Sequence, residues 1–204
     1  MGRYDLLATS ALLLVAGHET TVNLIANGML ALLRYPEWLE RLRHDKTLAP
    51  RLVDEILRFD PPVHFRTRKT LAAIEIAGVT IPKGARLVLL FAAANRDPNR
   101  FALPGRFDPE RGENQHFGFG AGPHYCIGAP LARLEAEAAL FALASRLADP
   151  RLLEDPPPYR RGASLRGPER LMLQIDGIKD AKGSEFTHEP ERQIVPASSI
   201  ASQS

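Results

Sequence analysis

A chain of 204 residues, 45% hydrophobic and 25% charged, is long enough for one sizeable domain or two small ones and apolar enough for a packed core. A net charge of +2 is too mild to argue for a nucleic-acid partner. One cysteine excludes an internal disulfide and fits a reducing, cytoplasmic compartment.

Arg3, the apolar run Ala11–Ala16 and the small residues nearby mimic a secretory signal. Asp5 argues against that, and so does the apolar pattern that continues through Val22, Leu24, Ile25, Met29, Leu30 and Leu33. One long helix from about Tyr4 to Arg34 is expected, apolar on most faces and therefore buried in a larger body. His18, Glu19 and Asn23 interrupt it too centrally for a membrane span. Pro36 ends it. Glu37–His44 reads as a short amphipathic helix with Trp38, Leu39 and Leu42 inward, and Pro50 opens another through Leu52, Val53, Ile56, Leu57 and Phe59. Asp60-Pro61-Pro62 stops that one.

The period then changes. Ile74, Ile76, Val79 and Ile81 predict short strands around Gly78, Arg86–Leu90 predicts another, and Phe91–Asn95 starts a short helix. Residues 96–122 are rich in Pro, Gly, Asp and Asn and read as a long loop, which Phe101, Phe107, Phe117 and Phe119 keep ordered. Ile127–Leu147 predicts a strong helix with Leu131, Leu134, Ala138, Phe141 and Leu147 facing the core. Leu171–Ile175 is a last strand candidate, and the polar tail beyond it, 179–204, is expected to lack stable structure.

The one thiol, Cys126, lies in Phe119-Gly120-Ala121-Gly122-Pro123-His124-Tyr125-Cys126-Ile127-Gly128. Glycines let a backbone approach a sulfur closely, and amide N–H groups with the positive end of the next helix favour the thiolate that binds a soft metal. Alone, such a cysteine is as easily an inert side chain before a helix. The ten residues resemble, at every specified position, the haem-binding loop of the cytochrome P-450 family. That resemblance implies Cys126 as axial thiolate ligand of haem b, with Phe119, Gly120, Gly122 and Gly128 shaping the cofactor-binding loop.

Three further constellations follow the same family's order. Ala16-Gly17-His18-Glu19-Thr20-Thr21 is a polar island in an apolar helix, where Gly17 costs about 1 kcal/mol relative to Ala and the threonines can bond back to carbonyls. On residues alone it reads equally as a kink with a surface patch. It resembles the family's oxygen-activation motif, which implies proton delivery by Glu19 and Thr20 and room over the haem at Gly17. Glu55 and Arg58 share one helix face, an ordinary pair worth about 0.2–0.5 kcal/mol if exposed. The resemblance makes them the family's Glu-x-x-Arg pair, with Arg106 as the third, structural member of a buried ion network. Arg68, expected just before the first strand, and His124 are implied as propionate donors, with Arg66 competing for the place of Arg68.

The implied fold is mainly α with small β-sheets, the C-terminal haem-binding half of a cytochrome P-450 over 1–178, with the family's N-terminal half absent. The implied function is haem-thiolate monooxygenation of a small apolar organic substrate. Electrons would come from a ferredoxin- or flavodoxin-type donor that Arg111 and Arg133 would attract. A peroxide-using variant is disfavoured by Glu19 and Thr20. The rival reading is a catalytically inert haem-binding remnant or interaction module. Neither nucleic acid nor a membrane is implied.

Overall fold

A computed structural model describes residues 2–179 and 185–186. Four helices build the core: α1 (Arg3–Arg34), α2 (Pro36–His44), α3 (Ala49–Phe59) and, after a short α4 (Phe91–Ala94), α5 (Ala129–Arg146). Leu24, Met29 and Leu32 of α1 meet Trp38, Leu39 and Leu42 of α2, Leu52, Val53 and Ile56 of α3, and Ala136, Leu140 and Ala144 of α5. The helices approach closely at Gly28, where an added Cβ would stand 2.9 Å from both Ile56 Cδ1 and Leu140 Cδ1. A 3-10 turn at Lys46–Leu48 leads into α3, started by the Asp45 carboxylate accepting from the Thr47 amide.

Two antiparallel strand pairs follow α3. Strand β1 (Phe65–Lys69) pairs with β4 (Arg86–Leu90), and β2 (Ile74–Ile76) pairs with β3 (Val79–Ile81). Ala77 and Gly78, both at positive φ (50° and 77°), make the tight turn between β2 and β3. Beyond α5, β5 (Leu147–Ala148) pairs with β8 (Gly177–Lys179) and β6 (Arg151–Leu152) with β7 (Leu173–Gln174); β9 (Glu185–Phe186) adds to β8. The segment from Tyr159 to Pro168 runs back beside the exit of α3, where Arg166 donates its amide to the Pro62 carbonyl at 2.8 Å. Asn27 of α1 secures both, donating to the carbonyls of Asp60 (3.0 Å) and Arg166 (3.2 Å).

The C-terminal half of α1 is buried, whereas Leu6, Leu7, Leu12, Leu13, Leu14 and Val15 are all more than half exposed, so the described elements cover only part of a helix expected to lie in a larger body. Other expectations need correction. Leu131, Leu134 and Ala138 of α5 face outward, whereas Ala129, Ala136, Leu140 and Ala144 are buried. The helix is apolar on both sides, and close packing selects the face that carries the alanines and Leu140 over the one that carries Leu131 and Leu134. Arg68 lies inside β1 rather than before it. The strand Gly177–Lys179 carries ordered chain through the expected start of the tail. The rest of that tail, apart from Glu185–Phe186, lies outside the described residues.

Candidate functional site

The cysteine loop is built from the long ordered segment between α4 and α5. Gly120 and Gly122 take φ of +72° and +66°, a left-handed backbone that side chains resist, and they fold the loop back on itself. The Gly120 amide donates to the Phe117 carbonyl at 2.8 Å, and the Cys126 amide to the Phe119 carbonyl at 3.0 Å. Cys126 is free and exposed, and its own carbonyl accepts from the Ala129 amide at the start of α5 (3.2 Å). An added Cβ at Gly128 would stand 3.8 Å from the Cys126 sulfur, so the sulfur is approached without crowding. His124 is exposed beside it.

The segment that leads into the loop is held by a fully buried ion network. Glu55 and Arg58 have side chains at 0% exposure. A guanidinium offers five N–H donors, and Arg58 uses them all. Nε and Nη2 donate to the two carboxylate oxygens of Glu55 at 2.7 Å each. Nη1 donates to the carbonyls of Asn95 (3.0 Å) and Pro104 (2.9 Å), and Nη2 also to that of Arg106 (3.0 Å). Glu55 accepts further from the Asp108 amide (2.8 Å) and Asn114 Nδ2 (3.2 Å). The helical period brings the pair onto one face, and burial makes it a knot between α3 and the long loop.

The third member is not Arg106. Its side chain is exposed and it contributes its backbone carbonyl. The second guanidinium at Glu55 is that of Arg111, with Nε 3.5 Å from Oε2 and 8% side-chain exposure. Arg111 also donates to the carbonyls of Arg106 (3.1 Å) and Ala102 (2.5 Å). Inside a loop with no helical or strand period, spacing does not say which arginine turns inward. Arg111 is therefore not a free surface charge for an acidic partner. Nor is Arg133, whose Nε donates to Asp54 Oδ1 at 2.9 Å while its guanidinium lies 4.7 Å over the Phe119 ring.

Asp54, His116 and Arg133 went unread in the sequence as a group. His116 Nδ1 accepts from the Gly118 amide (3.0 Å), and Nε2 stands 3.3 Å from Asp54 Oδ1. Burial pushes the Asp54 carboxyl up, but hydrogen bonds from His116 and Arg133, with the Arg133 charge, outweigh it and hold it below its ordinary value. The one signal available was a histidine three residues before Phe119.

On α1, Thr20 Oγ1 donates to the Ala16 carbonyl at 2.7 Å. Glu19 stands 3.7 Å from Arg160 Nη1 in a half-exposed pair. Nothing lies within 4 Å of an added Cβ at Gly17. Arg66 and Arg68 share one face of β1. Arg66 is occupied, donating to Ser164 Oγ at 2.7 Å, while Arg68 Nη1 reaches the adjacent Thr67 carbonyl at 2.9 Å.

Among the described residues, no three His, Cys, Asp or Glu side chains gather to hold a metal ion. A single exposed thiol in a glycine loop fits the axial position of a metal whose other ligands come from a macrocycle. Among the same residues no helix is long and apolar enough to cross a membrane.

The family model described as Cytochrome P450 matches residues 1–173. The chain is similar to the cytochrome P450 monooxygenase PikC of Streptomyces venezuelae, 50% identical over 146 residues, 71% of this chain and 35% of that protein. It is similar also to the biotin biosynthesis cytochrome P450 of Bacillus subtilis, 44% identical over 169 residues, 83% of this chain and 43% of that one. Among solved structures, P450BioI in complex with an acyl carrier protein carrying hexadec-9Z-enoic acid superposes with a TM-score of 0.77 at 43% identity, over 80% of this chain and 43% of that one. Ligand-free CYP164A2 of Mycobacterium smegmatis superposes with a TM-score of 0.82 at 47% identity, over 85% and 44%. The chain thus spans well under half the length of these relatives.

Proposed function

The chain belongs to the cytochrome P450 family, and we propose that it is the haem-thiolate part of a monooxygenase, with Cys126 as the axial ligand of haem b. The observation that carries this reading is the Cys126 loop. Its sulfur is exposed, Gly120 and Gly122 take left-handed turns, and the segment leading into it, 95–114, is tied to α3 through a saturated ion network. When bound, haem with an axial thiolate supplies the insertion of one oxygen atom from O2 into an organic substrate, the other leaving as water with two electrons and two protons.

The chain's own residues then hold, orient and protonate. Arg68, with no side-chain partner comparable to that of Arg66, and the exposed His124 supply N–H donors for the haem propionates. Gly17 leaves the surface of α1 open for a flat ligand. Glu19, half-exposed, exchanges protons with water. Thr20 donates its hydroxyl to the Ala16 carbonyl and has lone pairs left to accept a further hydrogen bond. A ferredoxin- or flavodoxin-type donor, a small apolar substrate and a cytoplasmic location complete the reading.

A second reading, a haem-binding remnant or interaction module without turnover, is favoured by the exposed apolar half of α1, since contiguous apolar surface marks a missing partner or an aggregation hazard. A haem titration followed by a turnover assay separates the two. Purified chain is titrated with haem, reduced under carbon monoxide, and compared with Cys126→Ala. Stoichiometric uptake with a red-shifted, thiolate-type Soret band lost in the variant is expected. A band unchanged in the variant would falsify the ligand assignment, self-association without uptake would support the interaction module, and uptake without product on addition of O2 and a redox donor would support the remnant.

A further inference from the structure

We infer that His116 is a positioning residue for the cysteine sulfur, acting through the Gly118 peptide; this rests on the haem-thiolate reading. Its side chain is 4% exposed, so its hydrogen bonds are made away from water. Because Nδ1 accepts the Gly118 amide at 3.0 Å, that nitrogen carries no proton. The ring proton therefore sits on Nε2, directed at Asp54 Oδ1 3.3 Å away. Asp54 belongs to α3 and is held in turn by Arg133 of α5. The ring is thus oriented by the two helices, and it orients one peptide of the loop.

That peptide has little freedom. An added Cβ at Gly118 would lie 2.8 Å from the Leu57 carbonyl oxygen and 3.0 Å from His116 Nδ1, so the backbone is confined between the end of α3 and the imidazole. The preceding amide, of Phe117, is pinned by Asn95 Oδ1 at 2.7 Å. The following residue is Phe119, whose carbonyl accepts the Cys126 amide at 3.0 Å. Tilting the Gly118 peptide therefore redirects the carbonyl from which the cysteine hangs.

Two near-isosteric variants separate this role from plain packing. In His116→Asn the side-chain oxygen occupies the place of Nδ1 and still accepts from Gly118, while the reach to Asp54 is lost. In His116→Gln the amide reaches Asp54 but leaves the Gly118 N–H without an acceptor. Amide hydrogen exchange is read by NMR on the haem-free chain, with Phe117 as internal control. His116→Gln is expected to exchange about fivefold to tenfold faster at Gly118 and at Cys126, the loss of one buried hydrogen bond. His116→Asn is expected to stay near the parent at both. On haem titration, His116→Gln is expected to give a smaller share of thiolate-type carbon monoxide complex than His116→Asn. Equal exchange in the two variants, or faster exchange at Gly118 that does not reach Cys126, would overturn the inference. A parent chain that takes up no thiolate-bound haem defeats the functional reading instead, and the exchange data then decide the role of His116 alone.

Discussion

Removing the guanidinium of Arg58 is the sharpest test of how the cysteine loop is held. Arg58→Ala leaves the buried Glu55 carboxylate without its bidentate partner, a loss of about 3–5 kcal/mol when one member of a buried pair is deleted. The carbonyls of Asn95 and Pro104 also lose their donor from Nη1, at about 1 kcal/mol or more each. The Arg106 carbonyl keeps Arg111 and adds little. The sum, about 5–7 kcal/mol, is comparable with the whole stability of a typical domain, about 5–15 kcal/mol. Arg58→Ala should therefore be largely unfolded. Arg58→Lys keeps the charge but fewer of the directed donors, and should fold with a lowered urea midpoint. The single tryptophan, Trp38, is buried in the helical core and reports unfolding by fluorescence. An Arg58→Ala chain with the parent midpoint would refute the reasoning, because it would mean that Glu55 and Arg58 are dispensable to each other.

The arginine correction predicts opposite outcomes for two neighbours: Arg111→Ala should cost about 1–3 kcal/mol in the same assay. Arg106→Ala, which retains the carbonyl that matters, should stay within about 0.5 kcal/mol of the parent. Thr20→Ala should leave haem uptake at Cys126 unchanged while lowering product formed per electron consumed in a haem-loaded protein that turns over; unaltered coupling would remove Thr20 from proton delivery. Asp54 is held below its ordinary pKa, so its contribution to stability is fully present above about pH 4 and is lost as pH falls through the depressed value. Asp54→Asn should accordingly lower stability at neutral pH and flatten the acid limb of a urea-midpoint profile, and a parallel acid limb in both proteins would contradict the hydrogen-bonded carboxylate.

What the amino-acid sequence determined by itself was local. The Cys126 loop is a run of ten residues whose glycines are required by backbone conformation, and Gly120 and Gly122 do take positive φ. Glu55 and Arg58 meet because the helical period puts residues three apart on one face, whatever surrounds them. The strands from Ile74 to Ile81 and from Arg86 to Leu90 carry enough apolar, β-branched character to be read directly. Strand β1, Phe-Arg-Thr-Arg-Lys, carries no such pattern; it is a strand because β4 pairs with it. Tertiary structure alone decided which face of α5 is buried, because a helix with apolar residues on both sides has no preferred one until a neighbour approaches, and the neighbours selected the face of Ala136, Leu140 and Ala144. It likewise decided that Arg111 and not Arg106 enters the Glu55 network, and that His116 joins Asp54 and Arg133 across the loop. An irregular segment has no period, so the direction of each of its side chains is set by long-range contacts that leave no trace in sequence spacing.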